Sequence, residues 1–325
     1  MLITEKPIRS RHFLLFLLPL LIFLSSGCGR GARGAAGIAG SVSALSGGKP
    51  WTPRTSAEEL RLPEASGTET YRNEDGSIIL DVSHTGNGYL MIKDTSDKKV
   101  QIQITNPDGE MYPYPLKDGG AYEAFPLTGG NGNYTVKVLE NISGDEYAVG
   151  LSQSVPVELS DEFQPFLYPN QYTEYSADSE TVKFGEQLAG SAGSDLEYVQ
   201  EVYNYVIQNI TYDTAFAENT PVNYIPDPDQ TLRSKKGICF DYASLMTALL
   251  RSQGVPTKLV TGYSGKAYHA WISVYLREQG WVDQIIYFDG KDWTLMDPTL
   301  GASNDAEAVK KYVGDGSNYT VKYVY

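Results

Sequence analysis

The position of one internal cysteine constrains the fold of this 325-residue chain more than any other feature. Cys239 follows a helix-breaking Gly237 and precedes apolar side chains that recur at helical spacing over 244–252, so the sequence predicts a helix that begins at the cysteine. His269 follows 30 positions later, at the start of 270–276, a run of aromatic and β-branched residues that predicts a strand. This part of the chain is therefore predicted to be α+β.

A carboxylate completes an ordered set of three reactive residue types. Asp297 follows His269 by 28 positions. The segments 284–288 and 292–296 flank Asp-Gly-Lys, a hairpin signal that would return Asp297 to the side of the sheet. A thiol nucleophile needs an imidazole to take its proton, and the imidazole needs a carboxylate to fix its tautomer. The N-terminal end of a helix also favours the thiolate form of Cys239.

Three segments resemble the motifs of the transglutaminase-like cysteine superfamily. They are Gly237-Ile238-Cys239-Phe240-Asp241-Tyr242-Ala243, then Tyr268-His269-Ala270-Trp271, then Met296-Asp297-Pro298-Thr299. The resemblance implies a papain-like transglutaminase core over residues 163–325, in which the cysteine-bearing helix packs on an antiparallel sheet. It further implies a catalytic triad of Cys239, His269 and Asp297 that transfers acyl groups through a thioester.

The stabilisation of the reaction's oxyanion has one clear candidate and one open one. The backbone N–H of Cys239 is the natural first donor. The resemblance also implies that Tyr212, upstream of the cysteine, lines the oxyanion region, and core packing is the alternative interpretation of this residue.

Non-catalytic interpretations of these residues are also considered. A lone cysteine in a globular domain is usually a small buried hydrophobe. Beyond residue 27 the chain has only two histidines, His84 and His269, and His84 is interpreted as a solvated turn residue. Asp241 lies two positions beyond Cys239 on the predicted helix and therefore points to another face, so it is interpreted as structural.

The N-terminus has the features of an export signal. Basic residues precede a short apolar run over 13–24, and Ser25-Ser26-Gly27 leads to Cys28. This predicts a signal peptide over residues 1–27, because the apolar run is too short to span a bilayer. Small residues before a cysteine resemble the bacterial lipobox, which implies lipidation of Cys28, although Ser25 stands where that motif usually has Leu. The alternative is a secreted protein cleaved near the same place.

Charge limits the partners of the exported chain. Residues 1–27 carry a net charge of +2 and the whole chain −14, which leaves −16 after cleavage. Such an acidic protein is not expected to bind nucleic acid or to dock electrostatically on anionic lipid. Attachment to the membrane is therefore predicted through the N-terminal lipid, with the protein on the extracytoplasmic side.

The remaining chain divides into three predicted regions. Residues 28–66, rich in Gly, Ala and Ser at their start, predict a flexible tether. Residues 67–162 contain short runs of β formers separated by turn signals, and predict a small all-β sandwich before the catalytic domain. A joint at 165–170 then precedes a helix opened by Ser194 or Asp195.

The function predicted from these features is an exported cysteine enzyme that acts on amide bonds. No cofactor and no metal site are expected, since the cysteine and histidine spacing fits no usual zinc site. The loop 221–229 is expected to border the substrate cleft. The favoured activity is that of a peptidase or amidase on protein or peptidoglycan peptides.

Alternatives to this activity come from within the family and from outside it. A protein-glutamine transamidase would use the same triad. A non-catalytic cell-surface binding or scaffolding protein would keep the fold alone. Papain-type peptidases are disfavoured because their cysteine and histidine lie about 130 residues or more apart. The sequence indicates no oligomeric state.

Overall fold

The computed structural model describes residues 59–117, 120–277, 279–283 and 318–325, together with the backbone of 286–288 and 293–295. The predicted signal peptide, Cys28, most of the predicted tether and Asp297 lie outside the described residues. The predicted domain boundaries therefore stay predictions.

The first half of the described chain forms two four-stranded antiparallel sheets. One has the strand order β1-β2-β3-β6 and the other β5-β4-β7-β8. The eight strands are β1 (Thr70–Arg72), β2 (Ile78–Asp81), β3 (Tyr89–Asp94), β4 (Val100–Thr105), β5 (Met111–Pro115), β6 (Glu123–Pro126), β7 (Gly132–Ser143) and β8 (Glu146–Val157).

The two sheets pack face to face, which confirms the predicted sandwich. Inward residues alternate along β4, where Val100, Ile102 and Ile104 are buried and the residues between them are half-buried. These side chains share one hydrophobic cluster with Leu80 of β2 and Leu90 of β3. One of the turn signals of this region, Asn106-Pro107-Asp108-Gly109, joins β4 to β5.

The described residues of the second half include five α-helices and a second set of strands. The helices are α1 (Glu180–Ala189), α2 (Asp195–Asn209), α3 (Thr214–Glu218), α4 (Pro228–Ser234) and α5 (Cys239–Ser252). The strands are β9 (Thr211–Tyr212), β10 (Lys236–Gly237), β11 (Thr257–Ser264), β12 (Ala267–Leu276), β13 (Gly280–Val282), β14 (Ile286–Phe288), β15 (Trp293–Leu295) and β16 (Tyr319–Val324).

Several predictions for this half are confirmed. Helix α2 begins after Ser194, whose side chain accepts a hydrogen bond from the N–H of Glu197. Helix α5 begins at Cys239, and β14 pairs with β15 as the predicted hairpin. The predicted loop 221–229 is shorter than expected, because Pro228 and Asp229 already form the first turn of α4.

Helix α5 is the centre of the second half and is almost entirely buried. It packs on β11 and β12 of the antiparallel sheet β13-β12-β11-β16. Leu245, Met246 and Leu249 belong to the same hydrophobic cluster as the sandwich residues. A helix that carries a cysteine and packs on an antiparallel sheet is the papain-like core that the sequence predicted.

Tyrosine rings connect the sandwich with this core. The ring of Tyr325, which follows β16, lies 5.8 Å from that of Tyr114 on β5 and 4.6 Å from that of Tyr172. Residues 59–66, the end of the predicted tether, also make contacts: Leu60 is buried beside Tyr175 and Val182. The described regions thus share a continuous interior.

Candidate active site

The start of α5 is held by a compact set of polar contacts. Ile238 has extended backbone and precedes the helix, and its N–H donates to Oδ2 of Asp241 over 2.8 Å. Gly237 lies so close that a Cβ there would be 2.6 Å from the Cβ of Asp241, so only glycine fits without movement. The half-buried Cys239 is the first helical residue. These contacts agree with the structural interpretation of Asp241.

A tyrosine from the preceding loop completes this arrangement, and no local sequence pattern indicates it. The hydroxyl of Tyr224 donates to Oδ1 of Asp241 over 2.6 Å. Burial raises the pKa of Asp241, while the hydrogen bonds from Tyr224 and Ile238 oppose that rise. Burial, and next the hydrogen bond to Asp241, raise the pKa of Tyr224. The hydroxyl therefore stays a donor at neutral pH.

His269 lies two residues inside β12 rather than at its first position. It is paired with Gly262 on β11. Its ring centroid is 6.3 Å from that of Trp271 and 6.3 Å from that of Tyr319, and the last two rings meet edge to face at 5.2 Å. The half-buried imidazole is therefore bordered by two aromatic side chains.

Gly262 lies on β11 opposite His269, and it allows strand β16 to approach β11 closely. The strand pairing between β11 and β16 shifts between Thr261 and Gly262. A Cβ at Gly262 would lie 2.0 Å from the carbonyl oxygen of Thr320 and 2.9 Å from the ring of Trp271. Any larger side chain would therefore displace β16 or Trp271.

The fold brings the elements that carry the predicted nucleophile and base against each other. Cys239 begins α5, and α5 packs on β12, which carries His269. Asp297 lies outside the described residues, although the hairpin that precedes it in sequence is present. The catalytic triad stays a prediction.

Tyr212 lies beside the segment that leads into the nucleophile helix. Its strand β9 runs parallel to β10, with Tyr212 paired to Gly237. The N–H of Asp213 donates to the carbonyl of Gly237 over 2.8 Å. The side chain of Tyr212 packs on the hydrophobic cluster, 6.4 Å from the ring of Tyr242. This placement is compatible with both interpretations of Tyr212, and its oxyanion role stays a prediction.

The other histidine considered from the sequence, His84, lies in the sandwich. His84 precedes a 3-10 turn (Thr85–Asn87) in the sandwich, with Nε2 3.3 Å from Oε1 of Glu64 and its ring stacked on Tyr89. In the part of the chain that the structure describes, no cluster of histidine, cysteine and carboxylate side chains is arranged to hold a metal ion. Within the same residues no helix has the length and hydrophobicity needed to cross a bilayer.

One segment of the second half of the chain matches a family model. Residues 182–284 match the model of the transglutaminase-like superfamily. This segment is similar to transglutaminase-like domains. The match includes α5 with Cys239 and β12 with His269, and it ends before Asp297.

Known proteins are similar to parts of this chain at modest identity. Protein YebA of Bacillus subtilis is 33% identical over 131 residues, which cover 34% of this chain and 16% of YebA. Human kyphoscoliosis peptidase is 29% identical over 174 residues, covering 49% of this chain and 24% of that protein. The chain thus spans less than a quarter of the length of either relative.

Among solved structures, that of red sea bream transglutaminase is similar. It is 14% identical, covers 69% of this chain and 53% of its own, and superposes with a TM-score of 0.29.

Proposed function

We propose that this protein is a cysteine acyl-transfer enzyme that acts on amide bonds, with Cys239 as nucleophile, His269 as base and Asp297 as the acid that orients the imidazole. The main support is that Cys239 begins α5, while α5 packs on the strand of His269. A helix start presents unpaired N–H groups and a positive dipole end, both of which favour a thiolate.

The proposed reaction has two stages. The thiol of Cys239 gives its proton to His269, and the sulfur attacks the amide carbon to form a tetrahedral oxyanion. The C–N bond then breaks, the leaving amine takes the proton from His269, and a thioester remains. A water molecule, deprotonated by His269, attacks the thioester, and the departing sulfur recovers the proton. The products are a carboxylic acid and an amine.

Backbone N–H groups at the start of α5 are suited to stabilise the oxyanion. The N–H of Ile238 is already bound to Asp241, so the N–H of Cys239 is the first available donor in this segment. By fixing Ile238, Asp241 also fixes the peptide that carries the N–H of Cys239. We assign Asp241 this positioning role rather than a proton-transfer role.

Hydrolysis is the favoured outcome, as in a peptidase or amidase. It needs only water as the second acceptor, and the human relative is named a peptidase. The substrates would be proteins or cell-wall peptides. Transamidation would use the same thioester with an amine in place of water.

One experiment tests the reaction and its outcome together. The full chain is incubated with cell-wall peptides and a primary amine, and products are identified by mass spectrometry. Hydrolysis adds one water to the cleaved products, whereas transamidation adds the amine with loss of the leaving group. Absence of both products, for peptides and for protein substrates, would favour a scaffolding role instead.

We also propose that the protein is exported and anchored by a lipid on Cys28. A chain of charge −16 after cleavage has little electrostatic attraction to anionic lipid, so the lipid would provide the attachment. Cys28→Ser should move the protein out of the membrane fraction or leave its signal uncleaved. A mature N-terminus without an acyl mass would contradict the anchor and leave export alone.

A further inference from the structure

A large cavity lies where the sandwich meets the helices of the second half. Its volume is about 700 Å³, within the range of small-molecule sites. Its walls are the end of β5 with the residues after it, the segment 174–179, the loop 223–227 and helix α4. The last two walls include most of the segment expected from sequence to border a cleft.

A second cavity extends the first along the sandwich. Its volume is about 280 Å³, and it shares Lys117, Glu174, Tyr175 and Ser176 with the larger one. We call the two cavities together the interdomain groove.

The interdomain groove carries exposed charges of both signs. Lys117 forms an ion pair with Glu174 at the wall that both cavities share. Arg233 forms another with Glu180 over 3.2 Å. Exposed ion pairs contribute little to stability, so a ligand can exchange with them at low cost.

Three further carboxylates in the groove are occupied by the fold. Glu123 accepts the N–H of Lys117 over 2.6 Å and a side-chain N–H of Gln171 over 3.1 Å. Asp227 accepts the N–H of Gln230 at the start of α4, and Asp229 accepts the N–H groups of Glu180 and Thr181 at the start of α1. The charges left to meet a ligand are therefore those of Lys117, Arg233 and Glu174. Mixed charges of this kind disfavour a polyanion and suit a ligand that has both carboxylate and ammonium groups.

The loop 223–227, which forms one wall of the groove, is hydrogen-bonded to helix α5. Asn223 and Ile225 line the larger cavity, and Tyr224 between them donates to Asp241, the third residue of α5. A ligand in the groove would therefore lie against the loop that holds the start of α5.

We propose that the interdomain groove binds the acyl donor, a short peptide that carries both carboxylate and ammonium groups, as cell-wall stem peptides do. The statement that this peptide is a substrate rests on the proposed function. Lys117 and Arg233 bind its carboxylates and Glu174 binds its ammonium group.

Binding can be measured without turnover by using the full chain with Cys239→Ala. The probe is the tripeptide L-Ala-γ-D-Glu-L-Lys, titrated by calorimetry, and the control probe is the same tripeptide with its amines acetylated and its carboxylates amidated. The charged probe should bind and the neutral probe should bind at least about tenfold more weakly, since charge-assisted hydrogen bonds are lost. Equal affinity for the two probes, or no binding of either, would overturn the proposal.

Variants of the groove locate the binding site. Lys117→Gln and Arg233→Gln should each weaken binding by about tenfold. Lys98→Gln is the matched control, because it removes a half-exposed cation from another ion pair, with Glu140 on the sandwich, and it should leave binding unchanged. The side chains of Arg233 and Lys98 are about half exposed and that of Lys117 is 29% exposed, and thermal unfolding checks that the variants fold. Binding that is insensitive to Lys117 and Arg233 would contradict the groove assignment.

The outcomes separate this inference from the proposed reaction. If the charged probe binds through Lys117 and Arg233 but the wild-type protein converts no peptide, the groove stands and the proposed reaction fails. If peptides are converted while binding and kcat/KM are unaffected by these substitutions, the reaction stands and the groove assignment fails.

Discussion

The two ends of helix α5 use buried polar groups for different purposes. At the N-terminal end, Asp241 is held by a backbone N–H and by Tyr224 of a neighbouring loop, next to the half-buried Cys239. At the C-terminal end, Arg251 is fully buried and donates to the carbonyls of three separate segments. Its acceptors are the carbonyl oxygens of Thr257 at 2.8 Å, Tyr168 at 2.7 Å and Tyr325 at 2.7 Å.

The two ends of α5 differ in the groups that surround the ionisable side chain. Burial lowers the pKa of Arg251 to about 10, so it stays charged at neutral pH and holds β11, β16 and the joint segment together. Burial raises the pKa of Asp241. Among the N–H groups at the helix start, Asp241 accepts a hydrogen bond only from that of Ile238. One end therefore joins segments of the fold, and the other leaves N–H groups beside a thiol for chemistry.

Removal of the thiol should have the largest effect and leave the fold intact. We expect Cys239→Ala to lower kcat/KM by about 10⁴- to 10⁶-fold, because the nucleophile of the proposed reaction is gone. The free energy of unfolding, measured in denaturant, should change by less than about 1 kcal/mol. Substantial turnover by this variant would show that the N-terminal end of α5 is not the reactive end.

Asp297→Asn tests the third member of the proposed triad. The substitution should keep the fold and lower turnover by about 10⁴-fold, because the amide favours the wrong imidazole tautomer. Steady-state kinetics on the same peptide substrate, with circular dichroism as the folding control, measures this. Near-normal turnover would mean that another residue orients His269.

At the opposite end of the helix, Arg251→Met should reduce stability rather than catalysis. We expect the free energy of unfolding to fall by about 3–5 kcal/mol, because buried carbonyls lose their donor. Arg277→Met is the matched control: Arg277 is half exposed and pairs with Asp195 over 3.1 Å, so its loss should cost less than about 1 kcal/mol. Equal costs for the two variants would contradict the structural role of Arg251.

The smallest effect is expected for loss of the hydrogen bond from Tyr224 to Asp241 at the N-terminal end of α5, and this effect should depend on pH. Because burial raises the pKa of Asp241, the folded state binds its proton more tightly, and stability from this group is lost as pH rises through the folded pKa. Tyr224 donates to the ionised form and limits that loss. Tyr224→Phe should therefore cost about 1–2 kcal/mol at neutral pH and less at acidic pH.

Denaturant titrations at several pH values measure the effect of Tyr224→Phe. Tyr242→Phe is the control on the same helix, since the hydroxyl of Tyr242 donates to the carbonyl of Ile210 over 2.6 Å and a carbonyl does not titrate. Its cost should not vary with pH. A pH-independent cost for Tyr224→Phe would mean that Asp241 does not ionise in this range.

Local patterns in the sequence were enough to predict the elements that carry the chemistry. The apolar spacing after Ser244 and the break at Gly237 predicted a helix beginning at Cys239. The aromatic and β-branched run after His269 predicted β12, and the Asp-Gly-Lys turn predicted the β14–β15 hairpin. These features depend on near neighbours, so periodicity and turn chemistry reveal them.

Contacts between distant segments were decided only by the tertiary structure. Arg251 reads as an ordinary helix-end cation until its partners 83 and 74 positions away are known. Tyr224 is one of 24 tyrosines in the chain, and its bond to Asp241 arises because a loop folds back on the start of α5. The interdomain groove likewise exists because the sandwich and α4 meet around the segment 174–179. Partners and cavities of this kind depend on how whole elements pack, and no local pattern in the sequence encodes that packing.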